Sequence, residues 1–163
     1  MPAATPRSLR LALDAGSFDP VYMLFGDEDY IKENVLRLLQ VRAVDASIRD
    51  FNVDSRRGPE LDAAMLRGLL DQLPMMATRR VVVIRDAQAM KKAPMEVLDG
   101  YLDRPSHDTI LVLVLPAGEE PPKGWTTRST AVECKVLGED GVLKWIAHHV
   151  TETPHGRITP GAA

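Results

Sequence analysis

The residues with the clearest chemical spacing lie in the turn from Gly26 to Glu33. A phosphate-binding loop follows G-x-x-x-x-G-K-[ST], whose backbone N–H groups and lysine surround the phosphates of a nucleotide. Gly26 and Lys32 occupy the first-glycine and lysine positions, but Ile31 replaces the second glycine and Glu33 replaces the magnesium-binding hydroxyl. The carboxylates of residues 27–29 would also repel a polyphosphate at close range. The turn therefore predicts a degenerate phosphate loop that binds no phosphate and no nucleotide cofactor.

Two further strand ends lack the side chains that ATP hydrolysis needs. Asp86 follows the third predicted strand, but Ala87 stands where a hydrolytic glutamate would be expected. Asp86 is therefore expected to cap a helix or to accept a loop hydrogen bond. After the strand that ends at Leu115, Pro116 supplies no polar side chain to sense a γ-phosphate. The histidines are isolated or adjacent along the chain, a poor arrangement for chelation, so we predict no catalytic residue and no metal site.

Composition and charge are those of an ordinary globular protein. Of 163 residues, 45% are hydrophobic and 26% are charged, and the formal net charge is −3. This acidic balance argues against strong binding to nucleic-acid phosphates, so DNA contact is expected to be indirect and basic residues such as Arg80 are expected to be solvated. One cysteine, Cys134, excludes an internal disulfide and is expected to be inert. The longest apolar run, residues 110–115, is too short to cross a bilayer, and the N-terminus lacks a signal-peptide core, which favours a cytoplasmic protein.

Hydrophobic periodicity predicts strands that alternate with helices. The predicted strands cover residues 21–25, 49–53, 80–84, 109–115 and 131–136, and the predicted helices cover residues 8–14, 27–41, 60–72, 94–102 and 138–150. The helix over residues 60–72 is expected to bury Leu61, Met65, Leu66 and Leu69. Several strands are apolar throughout, which is typical of parallel strands buried on both faces. The expected fold is therefore α/β, a doubly wound, five-stranded and mostly parallel sheet with helices on both faces.

A change in composition after residue 150 predicts the end of the domain. Residues 1–150 are interpreted as one domain that carries the whole sheet. Residues 151–163 are interpreted as a linker followed by the start of a truncated second domain. The chain is thus expected to be the first domain of a longer protein.

An unusual group of residues ends the helix predicted over residues 60–72. Gln72 offers an amide head, and Leu73, Met75 and Met76 offer three flexible apolar side chains within five residues. Such side chains suit a hydrophobic pocket on another protein, and Pro74 would hold the backbone extended. The alternative is that these side chains complete the domain's own core, and the spacing alone favours neither.

Three stretches of the sequence together resemble one known family. Residues 20–28 (PVYMLFGDE), 72–87 (QLPMMATRRVVVIRDA) and 132–135 (VECK) are similar, in order and spacing, to the delta subunit of the bacterial DNA polymerase III clamp loader. The resemblance implies an AAA+-type first domain without a working nucleotide site. It also implies that ATP hydrolysis belongs to partner subunits, which assemble with this one mainly through a C-terminal domain that is absent from this chain.

The resemblance also implies a binding site. In that family, adjacent large apolar residues at a helix end, commonly Leu-Phe, plug a hydrophobic pocket on the ring-shaped sliding clamp, and Met75 and Met76 occupy these two positions. Gln72 and Leu73 fit the clamp-binding pattern Q-L-x-L-F, with the amide of Gln72 forming hydrogen bonds, and Pro74 would hold its neighbours outward. Methionine lacks the rigid contact area of an aromatic ring. The implied function is to bind the clamp and favour the open ring during DNA replication, without hydrolysing ATP.

Two alternatives belong to other classes of protein. An active P-loop NTPase or kinase with a divergent phosphate loop would need a Gly-Lys-Ser/Thr turn, which the turn at Gly26 lacks. A doubly wound signalling receiver would use acidic residues at strand ends, such as residues 27–29 and Asp86. It would also need a lysine after the strand that ends at Leu115, where Pro116 stands instead.

Overall fold

The fold alternates strands and helices along the chain. The computed structural model describes residues 3–135. Its helices and strands are, in chain order, α1 (Pro6–Asp14), β1 (Val21–Phe25), α2 (Asp29–Ala43), α3 (Arg49–Asn52), β2 (Val53–Arg57), α4 (Ala63–Asp71), β3 (Arg80–Arg85), α5 (Lys92–Asp103), β4 (Thr109–Val114) and β5 (Thr130–Glu133). The helix predicted over residues 138–150 and the linker over residues 151–163 lie outside the described residues and stay predictions. Within residues 3–135, no helix is long and apolar enough to cross a membrane.

The five strands form one parallel sheet in the order β2-β3-β4-β1-β5. Alternate side chains enter two separate cores: Val82 of β3 shares one core with Leu66 of α4, and Val81 shares the other with Leu39 of α2. All four side chains are fully buried. Since successive residues of a strand point to opposite faces, helices cover both faces of the sheet. The predicted doubly wound α/β fold is confirmed.

The second strand begins later than the periodicity predicts. The prediction of a strand over residues 49–53 is wrong, because Arg49–Asn52 forms the short helix α3 and β2 follows at Val53–Arg57. The apolar residues Phe51 and Val53 favoured the earlier assignment. However, β2 lies at an edge of the sheet, and its last three residues are exposed. Charged side chains are common on edge strands, so this strand carries no apolar run.

Helix α4 determines where the following segment, residues 72–79, enters the sheet. The helix begins after Asp62, whose Oδ1 accepts a 2.7 Å hydrogen bond from the N–H of Met65. Leu66 is buried as expected, but the prediction that Met65 faces the core is wrong: it lies in the first turn, beside the cap, and is 51% exposed. Gln72 has an extended backbone. The segment of residues 72–79, called here the 72–79 segment, therefore leaves the helix and leads into β3.

Candidate partner-binding segment and the phosphate turn

The two candidate sites lie at the opposite ends of the parallel strands, which are called here the carboxyl edge and the amino edge of the sheet. The turn from Gly26 to Glu33 follows β1, and Pro116 follows β4, so both lie at the carboxyl ends of the strands, where doubly wound folds bind ligands. The 72–79 segment precedes β3 and therefore lies at the amino ends. The six residues of β3 separate the two edges by about 20 Å.

Lys32 is buried, and its ammonium group is bonded within the protein. The residue is 2% exposed. Its Nζ donates a 2.9 Å hydrogen bond to the carbonyl O of Leu115, just after β4, and lies 2.7 Å from Oδ1 of Asp29. Lys32 thus ties α2 to the sheet at the position where a phosphate-loop lysine would reach the nucleotide.

Gly26 is required by the backbone that packs against it. Its φ of +111° is rare for a residue with a side chain, and a Cβ would overlap the carbonyl O of Cys134. The same carbonyl accepts a 3.2 Å hydrogen bond from the N–H of Glu28, so the turn closes on the backbone that follows β5. Cys134 is fully buried, and burial raises the pKa of its thiol to about 11. The thiol therefore stays protonated at neutral pH.

Two acidic side chains at this edge are paired with arginines. Both terminal guanidinium nitrogens of Arg85 donate to the carboxylate of Glu33, one of them at 3.0 Å. This hydrogen bonding lowers the pKa of Glu33 and raises the pKa of Arg85. Arg57 donates a 2.7 Å hydrogen bond to Asp86, which confirms Asp86 as a loop acceptor; Asp86 also precedes a 3-10 helix at Ala87–Ala89, but its side chain makes no capping hydrogen bond there. Ile31 is partly buried against the apolar core. The two residues that replace the phosphate-loop glycine and hydroxyl thus serve packing and ion pairing.

The space left at this edge is poorly suited to a polyphosphate. A cleft of about 260 Å³ has five charged lining residues, Asp29, Lys32, Glu33, Arg85 and Asp86. Three are acidic and two are basic, and both basic groups are already paired with acidic neighbours. Asp86 in turn pairs with Arg57, so a phosphate group would have to displace a carboxylate from one of these basic groups in order to bind it. Within residues 3–135, no group of His, Cys, Asp or Glu side chains is placed to hold a metal ion.

The 72–79 segment exposes its large apolar side chains. Leu73 is 76% exposed, Met76 is 78% exposed and Met75 is 49% exposed. The alternative that these side chains complete the core is therefore wrong. Pro74, between Leu73 and Met75 in the chain, is partly buried. The resemblance implied that the two methionines lie at a helix end, and this is wrong. Helix α4 stops before Gln72, and the methionines follow in irregular backbone.

Buried side chains hold the backbone of this segment in place. Asn52, which is fully buried, accepts a 2.7 Å hydrogen bond from the N–H of Met75 and donates one of 2.8 Å to its carbonyl O. Arg80 donates a 3.2 Å hydrogen bond to the carbonyl O of Gln72 and pairs with Asp54. The expectation that Arg80 is solvated is wrong, because it is 1% exposed. The backbone is thus held at two points while the apolar side chains face outward.

Sequence reasoning missed both of these supporting residues. Asn52 lies 23 positions before Met75, and no local pattern links them. The available signal for Arg80 was its place at the start of an otherwise apolar strand, since a charged group that is buried there needs a partner. A left-handed backbone at Met76, with φ of +52°, was also unforeseen, because residues with side chains adopt it rarely.

Comparisons of sequence connect the chain to replication proteins. The family model described as DNA polymerase III, delta subunit, matches residues 22–134. The DNA polymerase III subunit delta of Bacillus subtilis (strain 168) is 29% identical to this chain over 64% of the chain and 33% of the relative. The chain therefore spans about a third of the length of this curated relative.

Comparisons of structure show the same fold in several proteins. The Bacillus subtilis DNA clamp loader delta protein matches with a TM-score of 0.74 and 21% identity, over 90% of this chain and 47% of that one. A gamma subunit-related protein of Thermotoga maritima matches at 0.61 and 17%, over 90% and 52%. The RuvB Holliday junction branch migration motor of Thermotoga maritima matches at 0.60 and 17%, over 89% and 49%. Since the family model covers well over half of the sequence, the chain belongs to the family of DNA polymerase III delta subunits.

Proposed function

We propose that this domain binds a DNA polymerase sliding clamp by inserting the apolar side chains of Leu73, Met75 and Met76 into a hydrophobic pocket on the ring. The observation that carries the proposal is the exposure of these three side chains on a backbone held by Asn52 and Arg80. Exposed apolar clusters of this kind mark interaction sites. The side-chain amide of Gln72, which is also exposed, would form hydrogen bonds at the rim of the pocket.

The held backbone supports binding for an energetic reason. A flexible loop loses conformational entropy when a partner orders it, and a segment that is already ordered loses less. Six side-chain torsions of the two methionines, three in each, must still be fixed, and the burial of each large apolar side chain contributes about 1.5–3 kcal/mol. A few apolar anchors carry most of the binding energy at the centre of an interface, so a short apolar segment can serve as that centre.

The domain works without hydrolysing ATP in this proposal. Lys32 is engaged by Leu115 and Asp29, and Glu33 is engaged by Arg85, so neither is free to act on a nucleotide. The domain would instead favour clamp opening by binding the open ring more tightly than the closed ring. ATP hydrolysis would belong to other clamp-loader subunits, joined mainly through a further domain. DNA would be contacted only indirectly, during replication in the cytoplasm.

Titration calorimetry of the chain with its cognate sliding clamp tests the proposal. The double substitution Met75→Ala/Met76→Ala removes two exposed side chains and should weaken binding at least about a hundredfold, or about 2.7 kcal/mol. Leu11→Ala is the matched control, because Leu11 is 64% exposed and lies on α1, which packs against α2 and β5. It should leave binding unchanged. A chain that binds ATP with magnesium but not the clamp would overturn the proposal and favour the divergent NTPase.

A further inference from the structure

Phe51 is an exposed aromatic residue beside the 72–79 segment. It is 57% exposed, whereas Phe18 and Phe25 pack partly buried against the two cores. An exposed large aromatic side chain contributes little to the stability of the fold, and aromatic residues are enriched at the centres of protein interfaces. Phe51 can therefore contact a partner that binds at its position in the fold.

The sheet places Phe51 close to the methionines. α3 leads into β2 and the 72–79 segment leads into β3, and these two strands are parallel neighbours in the register Val53 with Val81. Both lead-in segments therefore lie at the amino edge of the sheet. Neighbouring strands are about 4.8 Å apart, so the two segments enter the sheet side by side.

Asn52 connects the two segments directly. Its amide makes two hydrogen bonds to the backbone of Met75, and Nδ2 also donates a 2.9 Å bond to the carbonyl O of Ile48. With these bond lengths and 3.8 Å between successive Cα atoms, the Cα atoms of Phe51 and Met75 are within about 11 Å of each other. A standard interface buries about 800 Å² on each partner, which is ample to cover both residues.

From this geometry we infer that the clamp-docking surface is composite: Phe51 supplies an aromatic contact that the Met75-Met76 pair lacks, and Asn52 holds the two segments together. The inference rests on the proposed function, and the occupant is the same sliding clamp. Asn52 is a positioning residue here, because it is buried and acts through the backbone of Met75. Phe51 would touch the clamp itself.

Titration calorimetry tests the inference by measuring the affinity of the sliding clamp for each of three binders: the unaltered chain, the Phe51→Ala chain and a peptide of residues 69–80. Phe51→Ala should weaken binding about tenfold, while the exposed-leucine control Leu11→Ala stays within about twofold. The peptide lacks Phe51, Asn52 and the Asp54 partner of Arg80, so its backbone is not held, and it should bind at least about tenfold more weakly than the Phe51→Ala chain. Because Phe51 is exposed, its replacement should leave the unfolding midpoint unchanged.

Each outcome points to a different conclusion. If Met75→Ala/Met76→Ala abolishes binding while Phe51→Ala behaves like Leu11→Ala, the role of Phe51 is wrong and the proposed function stands. If the peptide binds as tightly as the Phe51→Ala chain, the positioning role of Asn52 is wrong. If the unaltered chain does not bind the clamp, the proposed function itself fails.

Discussion

Replacing Lys32 with methionine separates a structural lysine from a phosphate-binding one. Methionine fills a similar volume without the ammonium group, so the variant creates no large cavity. The structure predicts that this change lowers stability, because Nζ of Lys32 donates to the carbonyl O of Leu115, a fully buried residue, and pairs with Asp29. A lysine that served a nucleotide would instead be dispensable for stability.

The expected loss follows from three contributions. A hydrogen bond from a charged donor contributes about 1.5–3 kcal/mol, and its loss leaves a buried carbonyl without that donor. The Asp29 side chain is 76% exposed, so water solvates it once the lysine is gone, and the cost stays below the 3–5 kcal/mol of a fully buried broken pair. Relief from burying an ammonium group offsets part of the loss. We expect a net loss of about 1–2 kcal/mol, which lowers Tm by about 2–8 °C.

Denaturant unfolding and thermal melts measure this loss, and a titration with ATP and magnesium runs beside them. Lys92→Met is the matched control, because the Lys92 side chain is 92% exposed, and it should change stability by less than about 0.5 kcal/mol. The reasoning is refuted if Lys32→Met is as stable as Lys92→Met. ATP binding that Lys32→Met abolishes would identify the lysine as a phosphate ligand.

Two further predictions concern the same edge of the sheet. Gly26→Ala should lower the free energy of unfolding by at least about 2 kcal/mol, because φ is positive and the new Cβ would overlap the carbonyl O of Cys134. Gly68→Ala, in open space on α4, should raise it by about 0.5–1 kcal/mol, and equal denaturation midpoints for the two variants would contradict this account. Arg85 lowers the pKa of Glu33, so the pair stabilises the fold above the unfolded pKa of Glu33, and this contribution is lost as pH falls through the lowered folded pKa. Glu33→Gln should therefore lower the free energy of unfolding by less than about 1 kcal/mol at pH 7, since the side chains of Glu33 and Arg85 are both more than a third exposed. In acid the variant and the unaltered chain should be equally stable. A loss of stability that persists at about pH 2 would show that the ion pair is not its cause.

Apolar runs made most of the sheet predictable. β1, β3 and β4 lie at or near the centre of a parallel sheet, and their buried side chains on both faces leave continuous hydrophobic stretches in the sequence. β2 left no such stretch because it lies at an edge, where Asp, Ser and Arg are tolerated. The strand prediction therefore shifted to the preceding residues, where Phe51 gave a misleading apolar signal.

The candidate site was predictable only in part, for a similar reason. The residue types of Leu73, Met75 and Met76 indicated either a docking segment or a core segment, and only their exposure distinguishes the two. The support for the segment was not predictable, because Asn52 acts across 23 residues through a contact that exists only when β2 and β3 pair. Local patterns identify side chains that are unusual, whereas the sheet determines which of them meet.

The spacing of Gly26 and Lys32 shows why a motif must be tested by its surroundings. Both residues have roles that involve no phosphate: the glycine allows the turn to approach the backbone of Cys134, and the lysine ties α2 to Leu115. Either role would retain its residue after a nucleotide site was lost, so the two matching positions are no evidence for nucleotide binding. The mismatched positions are more informative, since Glu33 pairs with Arg85 at the place where a hydroxyl would hold magnesium. A polyphosphate would have to break that pair and then face the freed carboxylate, and this double cost is what separates the present turn from a working phosphate loop.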